Sequence, residues 1–178
     1  MSILIDLNSV ASEGLGASLD IQGSVAPESD LSRLTLGDID FHVADSRTEP
    51  IEFEVEFINA GECIHASGSV RAKVRTDCVR CLRDFVFVLE SDIEESFFFE
   101  PSEDEHGDPY PVIDESYKVD IEPLLQQSLL VEAPFAPVHD SDCQGLCVKC
   151  GMDLNQADCG CTDEEDASHP FAVLKGLV

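Results

Sequence analysis

A dense group of cysteines near the C-terminal end is the feature that most constrains how this chain can fold. Five of the eight cysteines lie within 19 residues, from Cys143 to Cys161, which read CQGLCVKCGMDLNQADCGC. So short a stretch has too few apolar residues for a hydrophobic core of its own. If it is ordered, covalent or coordinative bonds to its cysteines must hold it.

The spacing of four of these cysteines favours a structural zinc site. Cys147 and Cys150 form a C-x-x-C motif, which lets two thiolates turn onto one tetrahedral metal ion, and Gly151 permits the tight turn that follows. Cys159 and Cys161 supply the returning pair. A disulfide cluster and redox-active thiols are the alternatives to this zinc-knuckle interpretation.

The N-terminus argues against the disulfide alternative. Disulfides persist in oxidising compartments, but the chain starts MSILID, with neither a basic n-region nor a long apolar h-region. We therefore expect no secretory signal and a cytoplasmic protein, in which clustered cysteines favour metal. No apolar run approaches the roughly 20 residues needed to cross a bilayer, so we expect no membrane partner.

A second C-x-x-C motif lies in mid-chain, where Cys78 and Cys81 flank a predicted strand bend. A closed metal site needs two further ligands, and Cys143 and His139 remain if Cys63 is assigned to a strand in the core. The hypothesis is a second zinc site of Cys78, Cys81, Cys143 and His139 that staples the tail to the sheet. The alternative is a pair of ordinary half-buried thiols. A thioredoxin-like role is disfavoured because the motif does not open a helix of a βαβ unit.

Alternating apolar and polar residues predict an antiparallel sheet. From Ile51 to Phe57 the alternation is unbroken, with Phe53, Val55 and Phe57 expected in the core. Further strands are predicted at residues 34–43, 64–76 and 85–99, and the apolar residues at 85–89 should be covered on both faces. The fold class is thus α+β over residues 1–135, an antiparallel meander curled into a barrel-like sheet with one main helix. The cysteine-rich zinc-knuckle tail follows at residues 136–178.

The one main helix is predicted after residue 120. Asp120 is the expected N-cap, Pro123 is tolerated in the first turn, and Pro134 ends the helix. An i, i+3, i+4, i+8 stripe should pack on the sheet. The stripe consists of Ile121, Leu124, Leu125 and Leu129.

The charge of the chain is strongly acidic but uneven. Ten Lys and Arg residues against 37 Asp and Glu residues give a net charge of −27. This charge opposes nucleic-acid binding by bulk attraction. It is compatible with a basic protein partner, or it serves solubility alone. Half of the positive charge nevertheless lies within residues 71–83, as a candidate nucleic-acid-binding stripe. The stripe comprises Arg71, Lys73, Arg75, Arg80 and Arg83. The alternative is cross-strand pairing with acidic neighbours such as Glu52 to Glu56.

Catalytic motifs are lacking in the sequence. It contains no H-E-x-x-H, P-loop, G-x-S-x-G or deaminase pattern. The cysteine groups have enough ligands to close their sites, which leaves no open position for a water. We expect a protein that is not an enzyme and has no small-molecule substrate.

Several segments in combination resemble the bacterial YceD family. They are CVRCL, a helix followed by APFAPVHD, then CQGLCVKCGMDLN with a closing CGC, and finally PFAVLKGL, over about residues 70–178. The resemblance implies a role in the synthesis, processing or stability of 23S ribosomal RNA and implies no catalytic residues. Many members of the family have a cysteine where this chain has His139, and histidine also ligates zinc.

The expected function follows from this resemblance together with the charge. It is a non-catalytic factor in large-subunit assembly, with zinc as cofactor and large-subunit rRNA, a precursor particle or a basic ribosomal protein as partner. The basic protein is slightly favoured, because a charge of −27 weakens long-range encounter with RNA. The alternative is a zinc-stabilised protein-interaction adaptor not tied to ribosomes, which only the family resemblance disfavours.

Overall fold

The structure, a computed structural model, describes residues 3–25, 33–36, 39–43, 50–103 and 106–161. Antiparallel strands form most of the regular secondary structure in these residues. In chain order the elements are β1 (Leu4–Asp6), α1 (Asn8–Glu13), β2 (Ser18–Val25), β3 (Arg33–Leu36), β4 (Ile39–Val43), β5 (Ile51–Asn59), β6 (Cys63–Asp77), β7 (Asp84–Phe98), β8 (Lys118–Asp120) and α2 (Glu122–Glu132).

The long strand β6 organises the main sheet. It pairs along its whole length with β7, and on its other side first with β5 and then, at Val74 and Arg75, with β4. Strand β2 lies outside β5, β3 lies outside β4, and every pairing is antiparallel. Strands β1 and β8 form a separate two-stranded sheet.

The predicted barrel-like curling is not supported, because the sheet is open. Among the described strands, β2 and β7 are edges that do not pair with each other. Helix α2 packs on one face of the sheet, and its Leu125 and Leu129 are fully buried in the core that it shares with the strands. The helix covers the apolar face that a barrel would enclose by closure.

One other expectation for the N-terminal half needs correction. Residues 34–43 are not one strand but two, β3 and β4, which pair with each other. The sequence between them is Gly37-Asp38, and both residue types favour turns. Residues 8–13 form α1, whose six residues are too few to show a helical period in the sequence.

The predicted core of the sheet is confirmed. Phe53, Val55 and Phe57 of β5 are buried, and the intervening Glu52 and Glu54 are exposed. The stripe on α2 is buried as predicted: Ile121, Leu124, Leu125 and Leu129. Burial of such side chains contributes about 1.5–3 kcal/mol each, so the alternation of β5 and the stripe of α2 jointly define one hydrophobic interior.

The start of α2 differs from the prediction by one residue. Ile121, not Asp120, is the N-cap residue. The Asp120 carboxylate still accepts hydrogen bonds from the backbone N–H groups of Glu122, at 3.1 Å, and Ile3, at 3.0 Å. It therefore caps the first turn from one position further out and ties the helix to the N-terminal segment.

The expected coverage of residues 85–89 on both faces is wrong. Val86 and Val88 are 51% and 40% exposed. They lie on the outer face of the sheet, in register with Arg75 and Lys73 of β6, whereas α2 covers the inner face. Cys63, expected in the core, is half-buried at the start of β6. Neither described helix has the length and hydropathy to cross a membrane.

Candidate metal centres

The turn between β6 and β7 positions the first two thiols. The N–H of Cys78 donates to the carbonyl of Arg83 at 2.9 Å, and the N–H of Leu82 donates to the carbonyl of Cys78 at 2.8 Å. These bonds close the CVRCLR segment into a tight turn in which Leu82 adopts a φ of 59°. Both Cys78 and Cys81 are buried by the turn.

The segment after α2 brings two further ligands to this turn. It is attached by a hydrogen bond from the N–H of Val79 to the carbonyl of Pro137, at 3.0 Å. The Sγ atoms of Cys78 and Cys143 are 3.8 Å apart, and the Sγ of Cys81 is 3.5 Å from Nδ1 of His139. The four donor atoms lie within 4.8 Å of one another, and this group is named centre 1: Cys78, Cys81, His139 and Cys143.

A second turn repeats the backbone of the first. The N–H of Cys147 donates to the carbonyl of Met152, and the N–H of Gly151 donates to the carbonyl of Cys147, both at 2.8 Å. Gly151 has a φ of 74° and corresponds to Leu82 in the first turn. CVRCLR and CVKCGM are thus two copies of one turn that presents two thiols on the same side.

The second turn carries half of the other candidate centre. Its two thiols and those of the C-terminal pair lie within 4.8 Å of one another, and this group is named centre 2: Cys147, Cys150, Cys159 and Cys161. Its ligands are half-buried or exposed, unlike the buried thiols of centre 1. None of the eight cysteines, all of which are in described residues, forms a disulfide.

Hydrogen bonds to sulfur favour thiolates at the first cysteine of each turn. Burial raises the pKa of the Cys78 thiol, but hydrogen bonds from the side chain and backbone of His139 and from the backbone of Cys81 outweigh it and lower the pKa to about 5. The backbone N–H groups of Cys150 and Lys149 lower the pKa of Cys147 to about 6. Such N–H donors also orient the sulfurs toward a common point.

Two other thiols have a raised pKa. Burial raises the pKa of Cys81. The neighbouring side chains of Cys159 and Cys150 raise the pKa of Cys161 to about 12. Three or four thiolates this close repel one another, so each group can be fully ionised only around a cation.

The geometry and chemistry of both groups fit a tetrahedral metal ion. A tetrahedral site with Zn–S bonds of about 2.3 Å places its sulfurs about 3.8 Å apart, which is the separation of Cys78 and Cys143. Three thiolates with one imidazole, or four thiolates, are donor sets that suit zinc. Each group supplies four ligands and leaves no open position. Both clusters can therefore hold a metal ion.

The five basic residues of the predicted stripe lie in two elements, β6 and the turn that follows it. Arg71, Lys73 and Arg75, named the basic strip, lie on the outer face of β6. Arg71 is in register with Glu52 on one side and Glu90 on the other, which is the arrangement expected for cross-strand pairing.

Arg80 and Arg83 lie instead in the first turn, against the cysteine-rich segment. Nη1 of Arg80 donates to the carbonyls of Ser141, at 3.3 Å, and Cys143, at 3.1 Å. Nη2 of Arg83 donates to the carboxylate of Asp153 at 3.1 Å. Both guanidinium groups thus donate to the segments that carry the candidate centres.

Two polar residues between the cysteine pairs went unpredicted. Backbone and side-chain hydrogen bonds from Asn155 lower the pKa of Asp153 to about 2, so Asp153 is a carboxylate at neutral pH. The Asn155 amide also reaches Cys143, with Nδ2 at 3.5 Å from Sγ. The D-x-N pattern at residues 153–155 indicates a local turn, but only the fold shows that it contacts centre 1.

Comparison with known proteins gives one family match and several relatives. The model of the family described as "Large ribosomal RNA subunit accumulation protein YceD" matches residues 66–178. That range contains every ligand of centres 1 and 2, and Arg80, Arg83, Asp153 and Asn155 as well. No solved structure matches the chain.

The relatives are bacterial and plant proteins. An uncharacterized protein of Mycobacterium leprae is 30% identical over 112 residues, which are 59% of this chain and 49% of the relative. One of Mycobacterium tuberculosis is 32% identical over 111 residues, 58% of this chain and 50% of the relative. The Arabidopsis thaliana "Large ribosomal RNA subunit accumulation protein YCED homolog 1, chloroplastic" is 26% identical over 144 residues, which are 65% of this chain and 45% of the relative. The chain spans about half the length of the curated relatives it matches.

Proposed function

The chain belongs to the YceD family, and from this membership we propose that it is a non-catalytic factor supporting 23S rRNA synthesis, processing or stability in large-subunit assembly. The observation that carries the proposal is the family match over residues 66–178. The name of the plant relative, which refers to accumulation of the large ribosomal RNA subunit, points the same way. The site of action is the cytoplasm, where bacterial ribosomes assemble.

Zinc is the proposed ion at both centres. Cys78, Cys81, His139 and Cys143 would hold one ion, and Cys147, Cys150, Cys159 and Cys161 the other. When bound, zinc supplies a four-coordinate crosslink and compensates the thiolate charge. Each donor set is full, so no position remains for a catalytic water, which supports a structural role.

The outer face of the sheet supports contact with a basic protein. In successive rows across β2, β5, β6 and β7, Asp20 aligns with Glu56, Ser67 and Glu94, and Gln22 aligns with Glu54, Ser69 and Asp92. The five carboxylates of these rows are named the acidic face: Asp20, Glu54, Glu56, Asp92 and Glu94. Complementary charge favours a lysine- and arginine-rich ribosomal protein there.

The basic strip favours the other mode of contact, directly with rRNA. Arg71, Lys73 and Arg75 follow one another along the outer face of β6, at the spacing of alternate residues on a strand. Arg75 lies 3.7 Å from Asp84, and Arg71 has carboxylates in register on both sides. These pairings weaken attraction to phosphate, so the basic-protein contact is the primary proposal.

The experiment that tests the function is sedimentation of the tagged protein with ribosomal particles. Gentle lysates are run on sucrose gradients at low and moderate salt. We expect the protein with large-subunit precursors at low salt and loss of this association as salt rises, because the contacts are electrostatic. Migration only as free protein would contradict the proposal and favour an adaptor with a non-ribosomal partner.

Two matched variants distinguish the modes of contact. Glu54→Gln with Glu56→Gln removes two carboxylates of the acidic face, and Arg71→Gln with Lys73→Gln removes two cations of the basic strip. If a basic protein is the partner, the first variant weakens particle association and the second does not. The reverse result assigns the contact to rRNA.

A further inference from the structure

The polar residues between the two candidate centres form a continuous network. Arg83 reaches from the first turn to Asp153, with Nη2 donating to Oδ2 at 3.1 Å, and its Nη1 lies 3.4 Å from Nε2 of His139. Asp153 belongs to the connection between the two cysteine pairs of centre 2. One guanidinium thus contacts a ligand of centre 1 and the loop of centre 2.

Asn155 makes a second link in the same place. Its side-chain Oδ1 accepts from the N–H of Gln144 at 2.8 Å, and its Nδ2 donates to Sγ of Cys143 at 3.5 Å. Its backbone N–H donates to the carboxylate of Asp153 at 3.0 Å. A ligand of centre 1 is therefore hydrogen-bonded to the loop that separates the ligand pairs of centre 2.

The backbone adds contacts that do not depend on side chains. The N–H of Leu146 donates to the carbonyl of Arg80 at 3.1 Å, and the N–H of Leu154 donates to the carbonyl of Gly145 at 2.9 Å. Gly145 passes so close to the first turn that a Cβ there would lie 3.1 Å from the carbonyl oxygen of Arg80. Ordering residues 143–146 at centre 1 thus also positions the segment that leads into Cys147.

We propose that the two centres load their metal ions as one coupled unit, with the Arg83–Asp153 ion pair and the Asn155 amide linking occupancy of one centre to the other. This inference rests on the metal binding proposed above. An ion at centre 1 fixes Cys143 and the residues after it, so an ion at centre 2 then binds a segment already largely ordered. The coupling is reciprocal, because each ion must raise the affinity of the other by the same factor.

Arg83 keeps the pairing with Asp153 in the loaded protein. Nδ1 of His139 faces Cys81 and is the nitrogen placed to ligate, so Nε2 then carries the ring proton. A guanidinium only donates hydrogen bonds, and it cannot pair with a protonated Nε2. The Asp153 carboxylate is its acceptor, so the ion pair joins the turn that carries Cys78 and Cys81 to the loop of centre 2.

The experiment is a zinc titration of the metal-free full chain, followed by native mass spectrometry, which counts molecules with no, one or two ions. Independent centres of equal affinity leave about half of the molecules singly loaded at half saturation, and unequal affinities raise that fraction, whereas a coupling of about tenfold between equal centres lowers it to about one quarter. We expect a lower singly loaded fraction in the wild type than in variants that lack the link. Equal fractions would overturn the inference.

Variants that keep all eight ligands test the link itself. Arg83→Gln with Asp153→Asn, and separately Asn155→Ala, should still bind two ions at saturation but raise the singly loaded fraction toward one half. The matched control is Lys118→Gln with Asp6→Asn, an exposed pair of opposite charges in register in the separate β1–β8 sheet. It should load like the wild type. If the Arg83–Asp153 and Asn155 variants also load like the wild type, the network does not couple the centres.

The result is separable from the proposed function. Two ions loaded together in a protein that never associates with ribosomal particles would support the coupling and leave only the ribosomal role contradicted. Particle association by a protein whose ions load independently would overturn the coupling alone.

Discussion

At the scale of single residues, Gly68 shows how closely two strands of the sheet approach. It lies in the middle of β6, in register with Val55 of β5. A Cβ at this position would lie 1.9 Å from the carbonyl oxygen of Glu54 and 2.9 Å from the Cα of Val55. Both atoms belong to backbone, so they cannot move without shifting a strand.

Gly68→Ala is therefore expected to destabilise the protein. Overpacking of this kind costs about 1–3 kcal/mol, and here the clash is with backbone, which relaxes poorly. The measurement is the free energy of unfolding from urea denaturation. Ser69→Ala, the next residue on the opposite face, is the matched control and should change it by less than about 0.5 kcal/mol. Equal midpoints for the two variants would contradict this account of Gly68.

At the scale of elements, helix α2 stabilises the sheet by one apolar face. Leu125 and Leu129 are fully buried in the common core, whereas Val131 on the same helix is 79% exposed. The helix carries no basic residue in its last turn and no side-chain cap on its N-cap residue. Packing on the sheet, more than its own termini, must hold it in place.

Leu129→Ala should lower the free energy of unfolding by about 2–5 kcal/mol, the range for deleting a fully buried leucine side chain. Val131→Ala, on the exposed side of the same helix, should change it by less than about 0.5 kcal/mol. Thermal or urea unfolding of the two variants is the comparison. A similar loss in both would contradict packing of one face of α2 on the sheet as the source of its stabilisation.

At the scale of the whole molecule, two parts of the chain are held by different forces. The sheet and α2 share an extended core of buried apolar residues. Among the described residues, the apolar cluster around centre 1 has three buried members, all cysteines: Cys78, Cys81 and Cys143. We therefore expect residues 136–161 to be ordered by metal bound to their thiols. This expectation is the physical basis for the proposed domain boundary between residues 135 and 136.

Metal removal tests this division. The purified protein should contain two zinc ions per chain, and Cys63→Ser, which changes a thiol outside both centres, should leave that number unchanged. After removal by a chelator, amide hydrogen exchange should become fast in residues 137–161 and stay slow in β5, β6 and the core-facing turns of α2. A stoichiometry of one, or protection of residues 137–161 without metal, would contradict the two-centre proposal.

Local patterns predicted the parts of this protein that depend on neighbours in sequence. The alternation of β5 and the leucine stripe of α2 each specify a face, because side-chain direction is set by the period of the backbone. The C-x-x-C spacing brings Cys147 and Cys150 together because a single turn of the backbone joins them. These features required no knowledge of the rest of the chain.

Other features depended on how distant segments meet. In the sequence, Cys78 and Cys81 were grouped with His139 and Cys143 only because a closed site needs four ligands. The fold gives the spatial reason, because the segment after α2 packs on the β6–β7 turn. In the sequence, Arg80 and Arg83 belonged to the same cluster of basic residues as the basic strip. In the structure, Arg80 donates to the carbonyl of Cys143 and Arg83 donates to Asp153.

The sequence by itself determined the alternating strands, the helix face and the thiol pairs, because each is set within a few residues by backbone geometry. Only the tertiary structure decided the open sheet, the split of residues 34–43 into β3 and β4, and the exposure of Val86 and Val88. Each of these depends on which strand or helix packs alongside. That choice is made by contacts between segments far apart in sequence, which no local period encodes.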